Sequence, residues 1–346
     1  MSPSTESTPP SLILFYHIEK TGGNTVMSWL GANSFASPRG FRRRLDIAAI
    51  YTSAHCLLTI FPEILAASTN TRGKCINGLQ HHPIGWKRSP VNVLPADLSW
   101  QTSRLAFEFH DSTREVYWRD IDPKLPALRR LYATHGGVVT TVTLLREPMQ
   151  HIFSAWAYLP PLTNDRLRIS LSFADWAHKH ASGLQAGWLQ GCLRPRYCPN
   201  QSRHHPQCGY HNQAGGAAVL NMSLRNLARF DVVGVLSCLP SLYRAIESHA
   251  RLAPIDDDES FRRRMHAPNR KLIHVRTETA RRLRNVTHAS VVLPAIRNNQ
   301  TAWRIVVSAV QHDAFLFEAA KARALKLTAD GAQYGCPIAK RSKLAK

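Results

Sequence analysis

Residues 12–30 read LILFYHIEKTGGNTVMSWL, and this stretch limits the fold more than any other. Its first five residues form an apolar run of strand length, rich in aromatic and branched side chains. Gly22 and Gly23 break the run, and Thr25, Val26, Met27, Trp29 and Leu30 then read as the start of a helix. Asn24 or Thr25 is the expected N-cap. A buried strand, a turn carrying a lysine, a threonine and two glycines, and a helix N-terminus together form an anion-binding loop. Backbone N–H groups and the helix dipole face the anion, and Lys20 adds a full positive charge. The nucleotide-hydrolase pattern G-x-x-x-x-G-K-[ST] puts its lysine after the glycines. Here Lys20-Thr21 precedes them, so the loop is of another kind.

Charge points the same way. The 346 residues carry a formal net charge of +21 and are 44% hydrophobic, which suits a packed core and an anionic partner. The basic residues are spread along the chain, with short clusters at Arg42-Arg43-Arg44, Arg262-Arg263-Arg264 and Arg281-Arg282. No run of 18 apolar residues exists, so no transmembrane helix is expected, and residues 1–10 carry no apolar signal core. Seven cysteines leave at least one unpaired within the chain. Four Asn-x-Ser/Thr sequons, at Asn200, Asn221, Asn285 and Asn299, hint at a lumenal history.

Along the chain, residues 104–109 (RLAFEF) and 138–145 (VVTTVTLL) read as further strands, the latter buried on both faces. Residues 45–54 are apolar but of uncertain type, and 61–67 could form a short helix. Helices are expected over 123–135, closed by Gly136-Gly137, and over 149–158, 173–180, 220–229, 239–253 and 303–327. On the last, Val306, Val310, Phe315, Phe317 and Ala320 are assigned to one apolar face. Residues 230–236 read as a fourth strand. The expected organisation is a disordered segment over 1–10, one domain over 11–330 with irregular insertions near 70–100 and 183–213, and a basic tail over 331–346. Alternating strands and helices imply a parallel sheet with right-handed crossovers, whose ligands bind beyond the carboxyl ends of the strands. Lys20-Thr21, His110 and Arg146 all follow strand ends, so they share one edge.

The order His17-Ile18-x-Lys20-Thr21-Gly22-Gly23-x-Thr25 resembles the 5′-phosphosulfate loop of Golgi-type carbohydrate sulfotransferases, in particular the heparan sulfate 6-O- and 2-O-sulfotransferases. Thr143-Leu144-Leu145-Arg146-Glu147-Pro148, with Ser154 on the next helix, resembles that family's 3′-phosphate motif. Glu147 stands where the family has Asp. Residues 230–236 and 313–320 resemble the family's later strand and its C-terminal acidic-aromatic helix. The resemblance implies an α/β fold of P-loop type, with three layers and a central parallel sheet flanked by helices. It also implies transfer of a sulfuryl group from 3′-phosphoadenosine 5′-phosphosulfate (PAPS) to a carbohydrate hydroxyl. The acceptor would be an anionic glycan, the compartment the Golgi lumen, and nucleic acid no partner. This sequence carries no signal or anchor, so membrane contact requires an anchor outside it.

On that reading Lys20 is catalytic and holds the 5′-phosphosulfate. Thr21, Gly22, Gly23, Asn24 and Thr25 supply backbone and hydroxyl donors, and Arg146 and Ser154 bind the 3′-phosphate. His110 is the candidate general base, with His55 as its rival and Glu108 or Asp111 to orient it, while His17 supports the loop. No metal is required. Cys192, Cys198 and Cys208 with His204, His205 and His211 lack the paired spacing of a zinc knuckle. Trp156, Trp176 and Trp188 could stack on a sugar or adenine but fit a core better. Two other readings compete. A P-loop nucleotide kinase would need a lysine after the glycines and a Mg²⁺-binding carboxylate, and neither is evident. A non-catalytic basic protein binding a polyanion accounts for the charge but not for the polar groups at strand ends.

Overall fold

The computed structural model describes residues 9–18, 21–32, 47–51, 61, 100–101, 103–109, 117–158, 172–180, 183–190, 213–252 and 289–329. Five strands form one parallel sheet: β1 (Ser11–Tyr16), β2 (Ile47–Tyr51), β3 (Arg104–Phe109), β4 (Val138–Leu145) and β5 (Val232–Val235). Their order is β2-β3-β1-β4-β5. Tyr16 at the end of β1 lies opposite Phe109 of β3 and Thr143 of β4, so these strands finish on one edge. Every residue of β1 and β3 is buried. β1 accordingly reads as a near-continuous apolar run, while β3 alternates and buries Arg104 and Glu108 on one face.

Helices cover both faces. Val26, Trp29 and Leu30 of α1 (Gly23–Ala32) pack with Ile13 and Phe15 of β1, and Trp29 stacks on Tyr243 at 4.5 Å. Leu12, Leu14 and Tyr16 face the opposite side. There they meet α2 (Leu125–Ala133), α5 (Leu184–Gln190), α6 (Gln213–Ala228) and the long C-terminal helix α9 (Gln300–Ala329). Between these lie α3 (Pro148–Tyr158) and α4 (Phe173–His180). After β5 come α7 (Leu239–His249), on the face of α1, and α8 (Ala289–Asn298). The chain leaves β1 toward β2 on one side and leaves β4 toward β5 on the other. Adjacent strands whose crossovers diverge open a crevice at their carboxyl ends. Here the switch point lies between β1 and β4.

Several local readings change. The apolar segment over 45–54 contains β2. The first helix begins at Gly23, ahead of both Asn24 and Thr25, because the amides of Thr25 and Val26 bond to the carbonyl of Gly22. Residues 184–190 are not irregular: α5 occupies them, with its N-terminus held by a distant carboxylate that leaves no local signal. Helix α6 starts at Gln213, ahead of its glycine pair; a side chain at Gly216 would collide with His312 of α9. Helix α8 carries an internal proline, and the sequence reading passed over it. Phe315 is 60% exposed. The buried stripe runs through Val306, Val310, Asp313, Phe317, Ala320 and Ala324, at spacings of four and three. Phe315 lies about 140° around the helix from Val310 and misses it. At the N-terminal side Pro10 is buried, and its carbonyl accepts from Val138. Residues 1–8, 62–67, the insertion over 71–99, the rest of the segment to 212 and the tail over 331–346 lie outside the described residues. Among the described residues no helix is long and apolar enough to cross a membrane.

Candidate functional site

The loop between β1 and α1 is built by His17, Ile18, Thr21, Gly22 and Gly23. His17 is buried and continues the strand; its amide bonds to the carbonyl of Phe109 at 3.0 Å. Its ring stacks on Phe15, and Nδ1 shares a 2.6 Å hydrogen bond with Oε1 of Glu108. Strand alternation explains the meeting. Glu108 lies opposite Phe15 in the register, on the face of α1, and His17 follows Phe15 by two. Glu108 was one of two candidates to orient His110, and it holds His17, as the loop-supporting reading of His17 requires.

Both glycines are needed where they are. Gly22 has φ +101°, in the region that L-residues avoid, and a Cβ there would run into Leu236. A Cβ on Gly23 would run into the His17 ring. Thr21 is fully buried and its hydroxyl donates to the carbonyl of Ile18 at 2.6 Å. That proton closes the loop. Helix α1 carries no acidic residue in its first turn, so no side chain there neutralises the positive end of its dipole. The backbone N–H groups of Gly23 and Asn24 precede its first i→i−4 bond and have no intrahelical partner by geometry.

The second half of the site is the end of β4. Arg146 follows Leu145, and burial pushes its guanidinium below its ordinary range while neighbouring Glu147 opposes that shift. A guanidinium deprived of water gains more from an anion than a solvated one does. Glu147 caps α3: its carboxylate accepts from the amides of Met149 (3.1 Å) and Gln150 (2.7 Å), with Pro148 as first helical residue. A cap of this kind contributes about 1 kcal/mol, and the longer glutamate reaches the amides that an aspartate would serve. Ser154 is half-buried on α3, about 9 Å along the helix axis from Pro148. The two halves adjoin, since a Cβ on Gly22 would also touch Leu144, two residues before Arg146. Lys20, His110 and the rival His55 lie outside the described residues. The side chain of Asn24 does too, while Thr25 is half-buried in the first turn of α1. Trp156, Trp176 and Trp188 are core residues.

Sequence reasoning missed the support behind Arg146. Gln185, on α5, is buried, and its side-chain amide binds the Arg146 backbone twice: Oε1 accepts from the amide at 3.0 Å and Nε2 donates to the carbonyl at 2.9 Å. Asp313 of α9 accepts from the amides of Gln185 (3.0 Å) and Ala186 (2.8 Å). No local pattern marks Gln185. Asp313 entered only as the first residue of the segment 313–320 that resembles an acidic-aromatic helix.

Burial pushes the Asp313 carboxyl up to about 7, against the amides of Gln185, Ala186 and Leu184, which lower it. A folded-state value raised above the unfolded one adds stability that is fully present below about pH 4 and lost as pH rises through 7. The wild type should therefore lose stability between pH 5 and 8 relative to Asp313→Asn, whose side chain does not titrate. Urea unfolding of both proteins across that range measures the difference. A gap that stays constant with pH would show that Asp313 does not titrate in this window.

Among the described residues no cluster of histidine, cysteine and carboxylate side chains could hold a metal ion. Comparison of the chain with protein-family models, with curated proteins and with solved structures finds no match.

Proposed function

We propose that the chain is a PAPS-dependent sulfotransferase of P-loop-type fold, acting on a carbohydrate hydroxyl. One observation carries the reading: the glycine loop after β1 packs directly on the end of β4, where Arg146 follows. The glycine loop and the half-buried Arg146 thus follow the carboxyl ends of two adjacent strands. A donor with phosphates at both ends of an adenosine needs two such sites. The residues fit it: the glycines allow a close backbone approach, α1 carries no acidic residue in its first turn, and the guanidinium is a forked donor.

The donor supplies an activated sulfuryl group. The chain's residues position and neutralise it. Lys20 and the α1 N–H groups offset charge on the 5′-phosphate as its oxygen leaves sulfur. Arg146, with Ser154, holds the 3′-phosphate. The imidazole of His110 takes the acceptor's hydroxyl proton as the new S–O bond forms. The net charge of +21 suits an anionic glycan, and the disulfide at Cys238 suits an oxidising compartment such as the Golgi lumen.

Thermal melts with 3′,5′-ADP and with ATP–Mg²⁺ test the reading. A rise with 3′,5′-ADP alone is expected. A rise with ATP–Mg²⁺ alone would favour a nucleotide kinase, and no rise with either a polyanion-binding protein. His110→Ala should lose turnover while keeping its response to 3′,5′-ADP. Full activity in that variant, with none in His55→Ala, would move the base to His55.

A further inference from the structure

Arg146 sits one residue past the sheet. Leu145 is the last β4 residue paired with β5, through Val235, so the ladder gives Arg146 no rung on that side. Gln185 provides one. A side-chain amide has the same donor and acceptor as a peptide group. Here it meets the N–H and the C=O of a single residue, as a neighbouring strand would. Its own backbone is fixed in turn, because the Asp313 carboxylate holds the amides of Gln185 and Ala186.

Two buried polar side chains, Gln185 and Asp313, are thus arranged in series behind one arginine. Burying an amide and a carboxyl is costly unless every partner is supplied, and an apolar contact would close the same gap between α5 and β4 more cheaply. What an apolar contact cannot do is set the direction in which the Arg146 backbone leaves the strand. That direction determines where the guanidinium starts.

We propose that Gln185 is a positioning residue for the cofactor-binding Arg146, anchored by Asp313, and that through Arg146 it sets recognition of a phosphate on the ribose 3′ position. The assignment of that phosphate rests on the function proposed above; the positioning itself does not.

Gln185→Met tests it, since methionine has similar length and volume but no amide. Gln185→Glu is the companion: its carboxylate can accept from the Arg146 amide but cannot donate to the carbonyl. Hydrogen exchange of the peptide spanning residues 144–147 in the free protein reads the positioning. Isothermal titration with 3′,5′-ADP and with 5′-AMP reads its consequence. In Gln185→Met the Arg146 amide should exchange at least tenfold faster. Affinity for 3′,5′-ADP should fall about tenfold, the worth of roughly one to two hydrogen bonds, while 5′-AMP binding stays unchanged. Gln185→Glu should protect the amide yet lose part of the 3′,5′-ADP affinity. Unchanged exchange in Gln185→Met would overturn the proposal, whatever the ligands do. So would an equal loss for both nucleotides, which marks a merely structural residue. If the wild type does not distinguish the two nucleotides while exchange responds as expected, the positioning stands and the sulfotransferase reading fails.

Discussion

Arg146→Ala should abolish the thermal shift that 3′,5′-ADP gives and weaken its binding by about a hundredfold to a thousandfold. A forked guanidinium–phosphate pair contributes two charge-assisted hydrogen bonds, together about 3–4 kcal/mol. Burial raises the stakes: Arg146 is half-buried and burial lowers its pKa, so an anion has less water to strip from it than from an exposed arginine. The bonds between Arg146 and Gln185 run through the backbone of residue 146 and survive the substitution. The free variant should therefore still fold. Arg146→Lys restores the charge without the fork and should recover only part of the affinity. Binding of 5′-AMP, which lacks the 3′-phosphate, should be the same in all three proteins. Calorimetric titration settles the matter, and an alanine variant that binds 3′,5′-ADP like the wild type would remove Arg146 from the site.

The second large effect is expected at Gly23. A methyl group there meets the His17 ring, which cannot easily retreat: it is stacked on Phe15 and bonded to Glu108. Gly23→Ala should cost about 3 kcal/mol, part overpacking and part strain on a buried hydrogen bond. For a chain of this size the melting temperature would drop by roughly 4 °C. The response to 3′,5′-ADP should weaken too, because the displaced ring is the wall of the loop. His17→Ala makes room for the added methyl, so the double variant should lose less than the sum of the singles. Additive losses in that cycle would mean that Gly23 and His17 do not share the space described here.

The carboxyl edge of the sheet was legible in the sequence. Residues 12–16 are apolar on both faces and residues 138–145 are β-branched and uncharged, and the interior of a parallel sheet suits such runs. Helices between them fix right-handed crossovers, and the polar residues that follow then share one edge. Helix boundaries were legible where the stop is chemical. Gly136, at φ +69°, closes the turn after α2, with the Gly137 amide bonded to the carbonyl of Tyr132. They were not legible where the start depends on a partner far away, as for α5 under Asp313.

What the chain by itself determined, then, is the set of buried strands, the parallel sheet and the glycine loop, because each follows from hydrophobic runs and from backbone angles that only glycine tolerates. Tertiary structure alone decided how the site is braced. Glu108 meets His17 across 91 residues, Gln185 meets Arg146 across 39, and Asp313 meets Gln185 across 128. Hydrogen bonds of that separation leave no periodicity in a sequence. They exist only once packing has brought β1 beside β3, and α5 between β4 and α9.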